Sequence, residues 1–330
     1  MPAAPLRLGI LGAARIARNF AAGIAGSHKV VAAAVASREP VRARDFAAAT
    51  GVPVVHDSYD ALLADPDIDA VYNPLPNGLH GAWSIRSLEA GKHVLCEKPL
   101  ASDADEARRM FDTAARCGLH LVEAFPYRSQ PQTLWLQQML ADGAIGTVKT
   151  ITASFGFFFT SRDDVRLDPV LAGGALMDLG AYPLSLVRMI SGTLPVRMQA
   201  MGDLDVTGVD RSVIANLQFA DGMLAQVACS FDTAVHRQAL IAGSDGSIET
   251  TYANHSGPDT PAVLRIKRGA GRVDRYEDIS VPWVNGFLAE AESFADLVRA
   301  GRWNGITAQE SIDVMVMLDA LRAEVQTRRA

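Results

Sequence analysis

Near its start the chain carries an apolar run, Leu6 to Leu11, broken only by Arg7. It passes straight into Gly12-Ala13-Ala14-Arg15-Ile16-Ala17 and a helical pattern reaching about Ala25. A strand that is apolar on both faces belongs almost only to a parallel sheet covered by helices on either side. The turn that follows has the spacing of a dinucleotide fingerprint, with alanine at its second and third small positions. Gly12 allows the tight turn, and Ala14 and Ala17 allow close approach of phosphates and of helix to strand. The helix then offers free N–H groups and its positive dipole end to an anion. A Gly-x-Ala-x-x-Ala string is weak alone, because alanine-rich chains generate it by chance. Its place after a first strand is what strengthens it.

The alternation continues. A second strand, Val30 to Ala36, ends in Ser37-Arg38 with no acid at its tip; Glu39 comes one step later. An acid there holds the ribose 2′-hydroxyl of NAD, whereas an arginine suits a 2′-phosphate. Arg38, with Ser37 as a second donor and Arg15 assisting, therefore points to NADP in preference to NAD. Further strands are expected at Val52 to Val55, Ile68 to Tyr72, Val94 to Cys96 and Leu119 to Val122. Helices are expected at Val41 to Ala49, Tyr59 to Leu63, Leu79 to Ala90 and Asp103 to Cys117. The loop Asn73-Pro74-Leu75-Pro76-Asn77 is stiffened by two prolines, and Asn77 can cap the next helix. His80 reads as a satisfied helix histidine. The series describes an α/β dinucleotide-binding domain over residues 1–124.

One strand of that series ends in Glu97-Lys98-Pro99. A residue before proline is pushed toward extended geometry, so Lys98 cannot continue into a helix. Its ammonium is thrown past the carboxyl edge of the sheet, where open α/β sheets bind ligands.

After residue 124 the pattern changes. A helix at Thr133 to Ala141 leads to strand-like segments at Val148 to Phe159, Val196 to Met201, Ser212 to Phe219 and Met223 to Phe231. More follow at Gln238 to Ala242, Ser247 to Thr250, Ala262 to Lys267 and Val273 to Ile279. Period-two alternation and turns such as Asp221-Gly222 and Asp245-Gly246 indicate a mostly antiparallel open sheet over residues 125–330. Such a sheet is a plausible surface for a homodimer or homotetramer. Two amphipathic helices, Gly286 to Ala300 and Ala308 to Arg322, close the chain and are free to pack back on the first domain. Between the first two of these strands stands Gly173-Gly174-Ala175-Leu176-Met177-Asp178-Leu179-Gly180-Ala181-Tyr182. If helical, Asp178 and Tyr182 are four apart on one face, and Pro183 kinks the helix and frees the Leu179 carbonyl. Arg162 and Arg166 lie just before the Gly-Gly turn, as solvated loop arginines or within reach of substrate.

Bulk properties narrow the partners. A net charge of −6 disfavours nucleic acid and anionic membranes, which need a basic face. The 3 cysteines show no CxxC spacing, so no disulfide framework and no metal site is implied. The start of the chain lacks a signal-peptide pattern, and no apolar run is long enough to span a membrane, so a cytoplasmic protein is expected.

Three motifs stand in order: Gly12-x-Ala14-x-x-Ala17, Glu97-Lys98-Pro99 and Gly173-Gly174-x-x-x-Asp178-x-Gly180-x-Tyr182. Together they resemble the glucose–fructose oxidoreductase/inositol dehydrogenase/rhizopine catabolism (Gfo/Idh/MocA) family. The likeness is nearest to the branch holding NADP-dependent D-xylose dehydrogenase and dimeric dihydrodiol dehydrogenase. Asn77-x-x-His80, Ala90-Gly91-Lys92-His93-Val94 and Glu123-Ala124-Phe125-x-Tyr127-Arg128 support it. The resemblance implies a Rossmann domain, a mostly antiparallel α/β substrate domain and an active site drawing on both. It implies cofactor contacts from Gly12, Ala14, Arg15, Ile16, Ser37, Arg38, Leu75, Pro76, Asn77, His80, Glu97 and Lys98. It places Tyr127, Arg166, Asp178, Tyr182 and Lys98 at substrate, with Lys98 and Tyr182 as the catalytic pair and Asp178 orienting. Gln130, where relatives often have histidine, and Pro126, where methionine is common, depart from the pattern near the substrate pocket.

The expected reaction is hydride transfer between a sugar carbinol carbon and NADP, as an aldose 1-dehydrogenase. Free tyrosine, with pKa about 10, is a poor base at neutral pH. A neighbouring ammonium stabilises phenolate, so Lys98 is expected to tune Tyr182. The alternatives are a trans-dihydrodiol dehydrogenase, an anhydrofructose-type reductase, and a non-catalytic NADP-sensing regulator on the same fold.

Overall fold

The computed structural model describes residues 4–161, 164–255, 262–271 and 275–327. Arg162 and the start of the strand expected at Val273 lie outside them. The chain divides into two compact units, one made of the chain up to Ser129 together with Asn285–Ala308, the other of Gln130–Val284 and Gln309–Ala330.

The first unit opens with β1 (Leu6–Leu11), α1 (Arg15–Ile24), β2 (Val30–Ala36), α2 (Pro40–Thr50), β3 (Val54–His56) and α3 (Tyr59–Leu63). It continues through β4 (Ala70–Asn73), α4 (His80–Glu89), β5 (His93–Glu97), α5 (Ala104–Cys117) and β6 (Leu121–Ala124). The six strands are all parallel, in the order β3-β2-β1-β4-β5-β6. The order reverses between β1 and β4, the topological switch point of a doubly wound sheet. Central strands are sealed on both faces: Leu8, Ile10, Val71, Val94, Leu95 and Cys96 are fully buried. Helix α1 contributes Ala17, Phe20, Ala21 and Ile24, a stripe at helical spacing. Phe20 stacks on Tyr72 with ring centres 3.9 Å apart. Burying each such ring contributes roughly 2–3 kcal/mol. Helix α5 is bounded as its sequence dictates. Asp103 accepts from the Glu106 amide at the N-terminus, and Gly118 takes the left-handed conformation at the other end.

In the second unit the chain runs through α6 (Pro131–Ala141), β7 (Val148–Gly156), α7 (Ala181–Ser191), β8 (Arg197–Leu204), β9 (Asp210–Gln218) and β10 (Leu224–Ser230). It goes on to β11 (His236–Gly243), β12 (Gly246–Thr250), β13 (Leu264–Arg268) and β14 (Glu277–Asp278). Helix α8 (Gly286–Ala300) belongs to the first unit, where Phe287 meets Phe20 edge-on with ring centres 5.8 Å apart. Helix α9 (Ala308–Thr327) ends the described chain. The eight-stranded sheet has the order β14-β13-β12-β11-β7-β10-β9-β8. Its pairs are antiparallel except β10 with β7. Alternation puts Val213, Ala215 and Leu217 of β9 inside, while Ile214 of the same strand, Met201 and Leu224 stay exposed on the other face.

The expected helix through Asp178 and Tyr182 is corrected in one respect. A π-helical turn, Leu176–Gly180, precedes α7, which begins at Ala181. Pro183 stands in the first turn of α7, directly after that wider turn. Asn77 likewise opens a 3-10 turn, Asn77–Leu79, and Leu79 rather than Asn77 stands at the N-cap of α4.

Candidate active site

The carboxyl ends of the parallel strands gather the expected cofactor set on one edge. Gly12, just past β1, has φ +93°, a conformation L side chains rarely adopt. Its amide donates to the Ala36 carbonyl at 2.7 Å, and a Cβ there would meet Leu75 Cδ2 at 3.1 Å. The β1 turn thus touches the ends of β2 and β4. Ala14 is the N-cap of α1 and supplies no side-chain cap, so the first-turn N–H groups are open to an anion. Arg15 and Ile16, the first residues of α1, are exposed.

Past β2, Ser37 is buried and Arg38 exposed. Among the described residues Arg38 makes no ion pair, while Glu39 lies 3.6 Å from Arg42. The acid one step after the strand tip therefore already faces a cation. Burial raises the Tyr59 phenol above its usual range, and the charge of Arg38 works against that rise. These residues fit a dinucleotide: a turn at Gly12 that a Cβ would fill, an uncapped helix N-terminus and an exposed guanidinium at Arg38.

Lys98 follows β5 and is half-buried, joined to Pro99 by a cis peptide. Its neighbourhood is built by hydrogen bonds. Tyr72 Oη donates to Glu97 Oε1 at 2.6 Å, and Glu97 Oε2 accepts from the Lys98 amide at 3.3 Å. His80, the first residue of α4, faces the Pro99 carbonyl through Nδ1 at 2.8 Å and the Leu75 carbonyl through Nε2 at 2.6 Å. Burial, aided by Lys98 and opposed by both carbonyls, brings its pKa down to about 4. Leu75 and Pro76 form the loop that His80 ties to the Lys98 segment. Glu123, at the end of β6, accepts from the Leu100 amide at 2.9 Å. Glu290 of α8 is pushed well above the ordinary carboxylate range, chiefly by burial and then by Glu97 and Glu123. Tyr127 lies in a 3-10 turn after β6, fully buried, with its ring centre 6.0 Å from that of Phe125.

Arg166, Asp178 and Tyr182 belong to the second unit. Gly173 and Gly174 explain the local path. A Cβ on Gly173 would stand 2.5 Å from the Arg166 carbonyl oxygen, and Gly174 has φ +121°. Asp210 then anchors the π turn by accepting from the Leu176 amide at 2.5 Å. Arg166 Nε donates to Asp178 Oδ2 at 2.7 Å, and its Nη1 reaches Asp164 at 3.1 Å. Arg166 is thus held by two carboxylates rather than solvated in a loop. Tyr182 Oη accepts from Asn254 Nδ2 at 2.8 Å, and its ring meets Phe155 edge-on at 5.3 Å. Arg237 Cζ lies 4.3 Å from the Tyr182 ring centre and 3.9 Å from that of Phe155. Gln130 Nε2 donates to the Asn254 carbonyl. Sequence reasoning missed Arg237 and Asn254. Arg237 sits in an ordinary alternating strand and Asn254 in a loop without a motif, so neither gave a signal.

Comparison with known proteins bears on the whole chain. The family model described as "Oxidoreductase family, NAD-binding Rossmann fold" (GFO_IDH_MocA) matches residues 6–125, and the GFO/IDH/MocA C-terminal domain matches residues 133–249. D-xylose 1-dehydrogenase (NADP(+)) 2 of Haloferax volcanii is 37% identical over 327 residues, covering 98% of this chain and 99% of the relative. A trans-1,2-dihydrobenzene-1,2-diol dehydrogenase of Danio rerio is 35% identical, covering 74% of each chain. A crystal structure of a 3-ketoreductase from Actinomadura kijaniata with NADP and TDP-benzene superposes with TM-score 0.88 at 30% identity, covering 97% of this chain and 98% of that one.

Proposed function

The chain belongs to the Gfo/Idh/MocA oxidoreductase family, and from that premise we propose that it is an NADP-dependent aldose 1-dehydrogenase. The substrate is a D-xylose-like or glucose-like sugar and the product its lactone. When bound, the nicotinamide supplies the hydride acceptor and donor. Gly12, Ala14 and the start of α1 hold the pyrophosphate, and Ser37 and Arg38 the 2′-phosphate. In the oxidation the C1–H bond breaks with its electron pair leaving as hydride, and the C1–OH proton passes to Tyr182 Oη. Lys98 hydrogen-bonds the C1 oxygen of the substrate and stabilises the negative charge that develops there as the proton leaves. Asn254 Nδ2, at 2.8 Å, stabilises the phenol oxygen as its proton comes and goes. Asp178, held by Arg166, orients the substrate.

The observation that carries this reading is the presence of Lys98 just past β5 and Tyr182 at the start of α7, in a chain whose β2 is followed by Ser37-Arg38 instead of an acid. The full-length similarity to a D-xylose dehydrogenase supports the sugar. The Danio rerio relative favours oxidation of a trans-dihydrodiol as the second reading. An absorbance screen at the NADPH band, with aldoses, dihydrodiols and inositols and with both cofactors, tests it. Reduction of NADP by an aldose is expected. Tight NADP binding without turnover of any compound would make the chain a cofactor-sensing regulator instead.

We also propose that a second copy covers the open sheet face carrying Met201, Ile214 and Leu224, which are 71%, 55% and 50% exposed. Light scattering should give a dimer or tetramer, and a monomer at high concentration would contradict it.

A further inference from the structure

Two polar atoms beside Tyr182 are buried and lack a hydrogen-bond partner among the described residues: Arg237 Nη1 and Asn254 Oδ1. Both side chains already touch the phenol, Asn254 by its Nδ2 and Arg237 by its guanidinium over the ring. One atom is an obligate donor and the other an obligate acceptor. The large majority of buried side-chain polar atoms have a hydrogen-bond partner, so these two atoms call for one from outside the described residues. No carboxylate among the described residues pairs with Arg237, so its charge is free to face a ligand.

We propose that Arg237 and Asn254 together read one substrate hydroxyl on the carbon next to the reacting carbinol, so that the site selects vicinal diols. This rests on the assignment of Tyr182 to the reacting oxygen. A hydroxyl accepts from Arg237 Nη1 through a lone pair and donates its own proton to Asn254 Oδ1. A carbonyl or carboxylate at that place satisfies only the arginine and turns lone pairs toward Asn254 Oδ1. A methylene satisfies neither and leaves both buried groups unpaired, the situation that gives polar sites their strongest discrimination. Among sugars, the hydroxyl concerned is the one at C2 for oxidation at C1.

The test compares kcat/KM for D-xylose and 2-deoxy-D-xylose with NADP, in the wild-type enzyme, Arg237→Met, Arg237→Lys and Asn254→Ala. The wild type should prefer D-xylose by roughly a hundredfold or more. That ratio should fall below about tenfold in Arg237→Met and Asn254→Ala, through a larger loss on D-xylose, and stay intermediate in Arg237→Lys, which keeps a donor. Equal use of both sugars by the wild type overturns the proposal without any variant. Equal proportional losses on both sugars also overturn it and make the two residues structural. If the wild type oxidises neither sugar with NADP, the parent reading falls and takes this one with it.

Discussion

His80 Nδ1 lies 2.8 Å from the carbonyl oxygen of Pro99, so the first residue of α4 is fastened to the peptide that follows Lys98. The other ring nitrogen faces Leu75 in the cofactor-side loop, 2.6 Å from its carbonyl. Burial outweighs both carbonyls and leaves the imidazole with a pKa of about 4. An unfolded histidine has a value near 6.5. Between those values the unfolded chain holds the proton and the folded chain does not, so stability rises with pH across that window. The contribution is fully present above about pH 6.5 and is lost as pH falls to about 4, worth roughly 3 kcal/mol. Urea melts at pH 7 and pH 4.5 check this. The wild type should lose about 2–3 kcal/mol more than His80→Asn on acidification. Equal losses would mean that His80 titrates normally.

Glu290 gives a slope of the opposite sign. Its raised pKa means that the folded state holds a proton that the unfolded chain releases above about pH 4.5. It therefore costs stability increasingly as pH rises from there toward its folded value. Glu290→Gln keeps the shape without the charge. Its melting temperature relative to wild type should climb between pH 5 and pH 8, by a few degrees or more. A pH-independent difference would contradict the assignment.

Arg38 is expected to set cofactor choice. Arg38→Ala should weaken NADPH binding roughly tenfold to a hundredfold, the worth of a charged hydrogen bond, and leave NADH nearly unchanged. Fluorescence titration with both cofactors decides it, because equal losses would make Arg38 structural.

The parts of the fold that the sequence reveals are those governed by local pattern. The apolar runs of β1 and β5 are sealed on both faces, and α8 occupies the expected Gly286–Ala300. Ends drift where burial, not composition, decides them: the strand expected at Leu119 lies at Leu121–Ala124. The π turn before α7 was not legible, because it depends on Asp210, 34 residues from the Leu176 amide it holds. Arg166 reads as a loop arginine until the fold brings Asp164 and Asp178 to it. Arg237 and Asn254 reach Tyr182 only through the register of β11 on β7, which pairs Arg237 with Phe155, and through the loop after β12.

Tyr182→Phe should lower kcat on the order of a hundredfold or more while leaving NADP affinity within about threefold, since general acid–base groups contribute ~10²–10⁴. Stopped-flow turnover together with a binding titration separates the two effects. Near-normal kcat in this variant would remove Tyr182 from the reaction.

The account rests most heavily on Lys98 and Tyr182 serving one proton and one oxygen. A kinetic double-mutant cycle with Lys98→Met, Tyr182→Phe and the double variant, read as single-turnover NADPH formation from D-xylose, tests this directly. Residues that act as a unit are far from additive, so the double variant should be no more than about tenfold slower than the worse single variant. Losses that multiply in full would show that the two side chains act independently and would contradict the shared mechanism.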